Sequence, residues 1–135
     1  MDVILYARDL EKADRLAGRF NISCKLLSAS SSFAGYDLVI NTTPLGSLGD
    51  NINETPVLSN QLRGNRLAYD LVYNPIETRF LVEAREAGCD VLGGFEMLVA
   101  QAKLQFKMWT NTNVSSELMY EAGLSALTKN SSLVS

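Results

Sequence analysis

Short apolar runs, each followed at once by a turn or a helical pattern, dominate the chain. Val3-Ile4-Leu5-Tyr6, Asp37-Leu38-Val39-Ile40-Asn41 and Leu67-Ala68-Tyr69-Asp70-Leu71-Val72 are rich in strand formers. They lack the strict polar alternation of a strand wetted on one face, so they read as strands covered on both faces, as in a parallel sheet. Parallel neighbours need crossovers, and the segments between the runs supply helical patterns. Asp9 is placed to cap a helix whose Leu10, Ala13, Leu16, Ala17 and Phe20 share a face. Cys24–Leu27 reads as a weaker strand, and 28–35 as loop or short helix. Residues 46–66 read as loop with a single helical turn, because Gly, Asn and Pro recur there. Phe80, Leu81, Ala84 and Ala87 predict a helix over 78–87, and Asp90-Val91-Leu92 a short strand. Phe95, Val99, Ala102, Phe106 and Trp109 form one apolar stripe on the longest helix, about 95–109. Asn113 is placed to cap a last helix carrying Leu118, Met119, Ala122, Ala126 and Leu127; 129–135 reads as a frayed tail.

The fold class expected is therefore α/β, a mainly parallel sheet with flanking helices. Ligands of such sheets sit outside the carboxyl ends of the strands. Segments 41–46, 71–75 and 93–97 follow strands directly and are the places to look for chemistry.

Composition narrows the chemistry. At 135 residues and 47% hydrophobic, the chain has material for one domain with its own core. It has no histidine, which excludes Ser-His-Asp and Cys-His nucleophiles and His-based zinc sites; no metal site is expected. A net charge of −3 without a Lys/Arg cluster argues against a nucleic-acid partner. Cys24 and Cys89 form no CxxC pair and fit buried thiols in a reducing cytoplasm. N-x-[ST] triplets starting at Asn21, Asn41, Asn53, Asn113 and Asn130 read as chance matches in an Asn/Ser/Thr-rich chain. No apolar run approaches a membrane span, and the N-terminus does not resemble a signal peptide.

The strand-end segments carry a resemblance. Asp37-Leu38-Val39-Ile40-Asn41-Thr42-Thr43-Pro44-Leu45-Gly46 resembles the DLVINxTPLG segment of the shikimate dehydrogenase family. Tyr69-Asp70-Leu71-Val72-Tyr73-Asn74-Pro75-Ile76-Glu77-Thr78 resembles its YDLVYNPxET, and Gly94-Phe95-Glu96-Met97-Leu98-Val99-Ala100-Gln101 its GxxMLVxQ. Long motifs in the right order over 37–109 are far more specific than a glycine motif alone. The family reduces 3-dehydroshikimate to shikimate with NADPH, using an N-terminal substrate domain and a C-terminal Rossmann-type cofactor domain. The resemblance implies only the second: a truncated dinucleotide-binding domain over 1–110, then a C-terminal helix over 111–128.

What the resemblance implies for single residues follows the motifs. Arg8 stands where the family grips the adenosine 2′-phosphate, in an Ala7-Arg8-Asp9 triplet rather than Asn-Arg-Thr. A guanidinium suits a phosphate, whereas Asp9 would repel one and suits a ribose hydroxyl. NADP is thus the expected cofactor and NAD the alternative; a plain surface role for Arg8 and a cap role for Asp9 stand beside both. Thr43, Leu71, Gly94 and Met97 resemble cofactor-contacting residues, and Tyr73 and Gln101 substrate-contacting ones. The family's catalytic Lys–Asp pair belongs to the substrate domain, so no catalytic residue is expected here. Asp70, Glu77 and Glu96 are of a type that serves as general acids, but cap or surface-charge roles are the expected reading.

The resemblance also implies a domain without its first, central strand and glycine-rich loop, since no G-x-G occurs. In the order 3-2-1-4-5-6, Val3–Tyr6 matches the second strand and Asp37–Asn41 the fourth. The gap is expected to close by direct pairing of these two, by a strand from another chain, or to leave a loose N-terminal third. Open edges and the last helix would favour self-association. The chain by itself is expected to bind cofactor weakly and to lack turnover; the competing reading is a non-catalytic binding or oligomerisation module of the same fold.

Overall fold

The computed structural model describes residues 2–131, with side chains through 128. Its elements are β1 (Ile4–Ala7), α1 (Leu10–Phe20), β2 (Ser23–Leu26), β3 (Leu38–Asn41), α2 (Ser59–Leu62), β4 (Leu67–Asp70), α3 (Arg79–Glu86), β5 (Asp90–Leu92), α4 (Gly94–Thr110) and α5 (Ser116–Ser131). Every strand pairing is parallel, as the apolar runs predict. The α/β class with flanking helices holds.

The sheet is in two pieces. β1 pairs with β2, and β3, β4 and β5 pair in that order. Direct pairing of the first strand with β3, one of the expected ways to close the gap, does not occur. The pieces meet through side chains instead. The Tyr6 ring on β1 packs edge-on against Phe33 with centroids 4.9 Å apart, and its hydroxyl lies 3.0 Å from that of Tyr36. Burial and the Tyr36 hydroxyl together push the Tyr6 phenol up to about 12. Gln61 adds a second tie: its Nε2 donates to the carbonyls of Ser28 and Ser31, just past β2.

The core gathers Phe33, Val57, Leu62, Ala68, Phe80, Leu81, Ala84 and Cys89, with Tyr6, Leu27 and Val39 packed against it. Side chains alternate across a strand, so Leu38 and Ile40 face away from Val39; they are 40% and 45% exposed. α1 buries only Ala13 and Ala17, whereas Leu10, Leu16 and Phe20 of the expected apolar face lie open. A two-stranded sheet is too narrow to cover that face. α4 is similar: Phe95 and Val99 are buried, but Met108 and Trp109 are about four-fifths exposed because the helix outruns the sheet.

α5 is capped by Ser115 and not by Asn113: Ser115 Oγ accepts from Leu118 N at 3.1 Å. Phe95 and Tyr120 join α4 to α5 by an edge-on contact at 4.8 Å. Leu118, Ala122 and Ala126 stay exposed on α5. The first residues of the expected tail continue α5 to Ser131, and 132–135 lie outside the described residues. Cys89 is buried, whereas Cys24 is half-buried and points its Sγ at Asp14, so the buried-thiol expectation holds for only one of the two. No described helix is long and apolar enough to cross a membrane.

Candidate functional site

Parallel register sets Asn41, the last residue of β3, opposite Asp70, the last of β4. Both side chains are buried, Asp70 completely. A carboxylate so placed must be fully hydrogen-bonded. Asp70 Oδ1 accepts from Asn41 Nδ2 and from the Val72 amide, each at 3.0 Å. Its Oδ2 takes the Thr78 hydroxyl at 2.5 Å. Burial pushes the Asp70 carboxyl above its ordinary value, and these three hydrogen bonds oppose the shift. Thr78 also caps α3, its Oγ1 accepting from Leu81 N. Asp70 is therefore neither cap nor surface charge. It ties the ends of β3 and β4 to the start of α3. Glu77, by contrast, is exposed and paired with Arg85, and Glu96 is exposed in the first turn of α4.

Around this centre the chain folds back tightly. Asn41 Oδ1 accepts from the Thr43 amide at 3.0 Å and the Thr43 hydroxyl at 2.7 Å. Gly46 has φ +92°, which favours glycine, and a Cβ there would stand close to Thr78 Cβ, at 3.3 Å. Gly94 opens α4 pressed onto the β4 exit: a Cβ would lie 2.5 Å from the Leu71 carbonyl oxygen. No other residue type allows that approach.

The result is a cleft of about 530 Å³ at the carboxyl ends of β3 and β4, lined among others by Thr42, Thr43, Leu71, Val72 and Tyr73. Thr43, Leu71 and Tyr73 thus come together, and Gly94 stands directly behind the floor. Met97, half-buried, and Gln101, exposed, lie further along α4 and do not line the cleft. Arg8 lies elsewhere, in a second cleft of about 400 Å³ at the ends of β1 and β2, with Ser28, Gln61 and Arg79. Asp9 caps α1, accepting from Lys12 N at 3.1 Å and pairing with the Lys12 ammonium at 3.3 Å. Those contacts hold its carboxyl below the usual range, the Lys12 amide contributing most.

Sequence reasoning missed Asn41, Thr78 and Arg79, and misjudged Asp70. An acid inside an otherwise apolar run, with hydrogen-bonding side chains at the ends of neighbouring segments, was the available signal.

The family model for the shikimate 5′-dehydrogenase C-terminal domain matches residues 94–122. A shikimate dehydrogenase (NADP(+)) of Chlorobium phaeovibrioides is 42% identical over 93% of the chain and 49% of its own length. Among solved structures, shikimate 5-dehydrogenase from Thermus thermophilus in complex with NADP(H) and shikimate superimposes with a TM-score of 0.78 at 31% identity, over 94% of this chain and 47% of that one. Quinate dehydrogenase from Corynebacterium glutamicum in complex with NAD gives 0.72 at 27% identity, over 92% and 46%. The chain spans about half the length of the proteins it matches.

Proposed function

From a chain of the shikimate dehydrogenase family that matches the C-terminal, NADP-binding half of the full-length enzymes, we propose a cofactor-domain portion of an NADP-dependent shikimate dehydrogenase. The observation that carries the reading is the convergence of Thr43, Leu71 and Tyr73 in one cleft at the strand ends.

The residues fit a dinucleotide at its two ends. The cleft under Thr43 and Leu71 offers a hydroxyl and backbone carbonyls beside an apolar floor, suited to a nicotinamide and its ribose. The second cleft offers the Arg8 guanidinium to a phosphorylated adenosine, while Arg79 on its wall is paired with Glu83 and the Asn53 carbonyl. Asp9 is committed to capping α1, which favours NADP over NAD. When bound, the nicotinamide supplies the hydride that reduces the substrate carbonyl. The chain's own residues orient: Gly94 lets the start of α4 seal the cleft floor and Tyr73 lines it, while Met97 and Gln101, outside this cleft on α4, keep the nicotinamide and substrate roles that the resemblance implies. Proton transfer falls to the Lys–Asp pair of a substrate domain. The sequence has no G-x-G turn for the pyrophosphate. The 135 residues alone therefore bind NADP+ weakly and do not turn over.

Titration of the chain with NADP+ and NAD+, followed by residue-resolved NMR, tests the reading. Shifts at Thr43, Leu71 and Gly94, stronger with NADP+, are expected. Shifts confined to other faces, or NADPH-dependent reduction of 3-dehydroshikimate by this chain alone, would contradict it. The exposed apolar strip on α5 keeps one alternative alive, a non-catalytic oligomerisation module.

A further inference from the structure

We propose that Asp70 is a positioning residue that fixes, through Asn41, the hydrogen-bond polarity of Thr43, so that Thr43 presents an acceptor to a donor-bearing group of the ligand. The inference rests on the functional reading above and names the chemistry at one point of that site.

A primary amide has a donor end and an acceptor end, and a buried one is oriented by what surrounds it. Asn41 is 2% exposed. On one side it meets Asp70 Oδ1, which also receives the Val72 amide and so acts as an acceptor. Asn41 must turn its Nδ2 that way, and the same group donates to the Leu45 carbonyl at 3.3 Å. Its Oδ1 then faces Thr43 and accepts both the amide and the hydroxyl proton. The Thr43 hydroxyl has thus committed its only proton to Asn41. One lone pair takes the Leu45 amide at 3.3 Å, and the second remains for the cleft. A ligand hydroxyl or amide N–H fits there; a ligand carbonyl or phosphate oxygen is refused, because two acceptors would face each other. Asp70, deep in the fold, acts with the Leu45 carbonyl and the Thr43 amide to hold that polarity, and so selects the ligand group through two hydrogen bonds. It does so without touching the ligand.

A double-mutant cycle on NADP+ affinity in the full chain tests this. Thr43→Val removes the acceptor, and Asp70→Ala removes the buried one of the groups that orient it. Each is expected to weaken binding roughly five- to tenfold, and the double variant no more than either alone. Asp70→Asn still turns an oxygen to Asn41 and Val72, so it keeps affinity within about twofold. Multiplying effects, or an Asp70→Asn as weak as Asp70→Ala, would overturn the relay. The unaltered chain provides a second arm if Asp70→Ala does not fold. Through-hydrogen-bond couplings should link Asn41 Nδ2 to the Asp70 carboxyl carbon; couplings absent there, with the amide protons directed at Thr43, would sink the proposal. A chain that gives no NADP+ binding at all removes the functional reading, and this NMR arm then decides the relay by itself.

Discussion

At the scale of single residues, Thr78 joins two duties in one hydroxyl. Its hydroxyl caps α3 and satisfies the buried Asp70 carboxylate. Thr78→Val keeps the shape and removes both, and is expected to cost about 2–4 kcal/mol in urea unfolding. The raised Asp70 carboxyl has a pH consequence. Because Asp70 binds its proton more tightly folded than unfolded, its contribution to stability is present below the usual carboxylate value and is lost as pH rises through its elevated folded value. Asp70→Asn should flatten the stability profile across that window. Arg8→Ala should weaken NADP+ more than NAD+ in a direct titration, since only the former carries a 2′-phosphate; equal losses would assign Arg8 to the surface. Asp70 was hard to read in advance because one acid in Tyr69-Asp70-Leu71-Val72 looks the same whether the strand end is wet or dry. Only the register against Asn41 decides it, and register is not local information.

At the scale of elements, the apolar runs located all three strong strands to within a couple of residues. Those runs are local, and so is the capping of α1 and α3 by Asp9 and Thr78. Helical stripes were legible as helices but misleading as burial. Leu16 and Phe20 on α1, and Trp109 on α4, obey the period and still face solvent. Periodicity says which residues share a face, and it is silent on whether a neighbour covers that face. Trp109→Ser is accordingly expected to change stability by no more than about 0.5 kcal/mol, while lowering any self-association seen by light scattering. Tyr6 makes the converse prediction for β1. Its phenol holds its proton up to about 12, against an ordinary value near 10. The stability this contributes is present below about 10 and is lost as pH rises through about 12. In Tyr6→Phe, alkaline unfolding should start from a lower stability and lose that extra pH dependence.

At the scale of the whole molecule, the sheet is the feature that sequence could name but not assemble. Strand existence is written in the runs, whereas which strands pair is not, and β1 and β3 do not. β1 and β3 each have a strand partner on one edge only, among the described residues, and so leave amides open on the other. Hydrogen exchange should find them fast, and the amides of β4, bonded on both sides, slow. The division has a thermodynamic counterpart. β1, α1 and β2 pack mainly on one another and reach the rest through Tyr6, Leu27 and the Gln61 amide. Two bodies so thinly joined need not melt together. Calorimetry should record a measured enthalpy larger than the van't Hoff enthalpy of its main transition. The smaller body should be the first to come apart on heating, while the cleft at the ends of β3 and β4 outlives it.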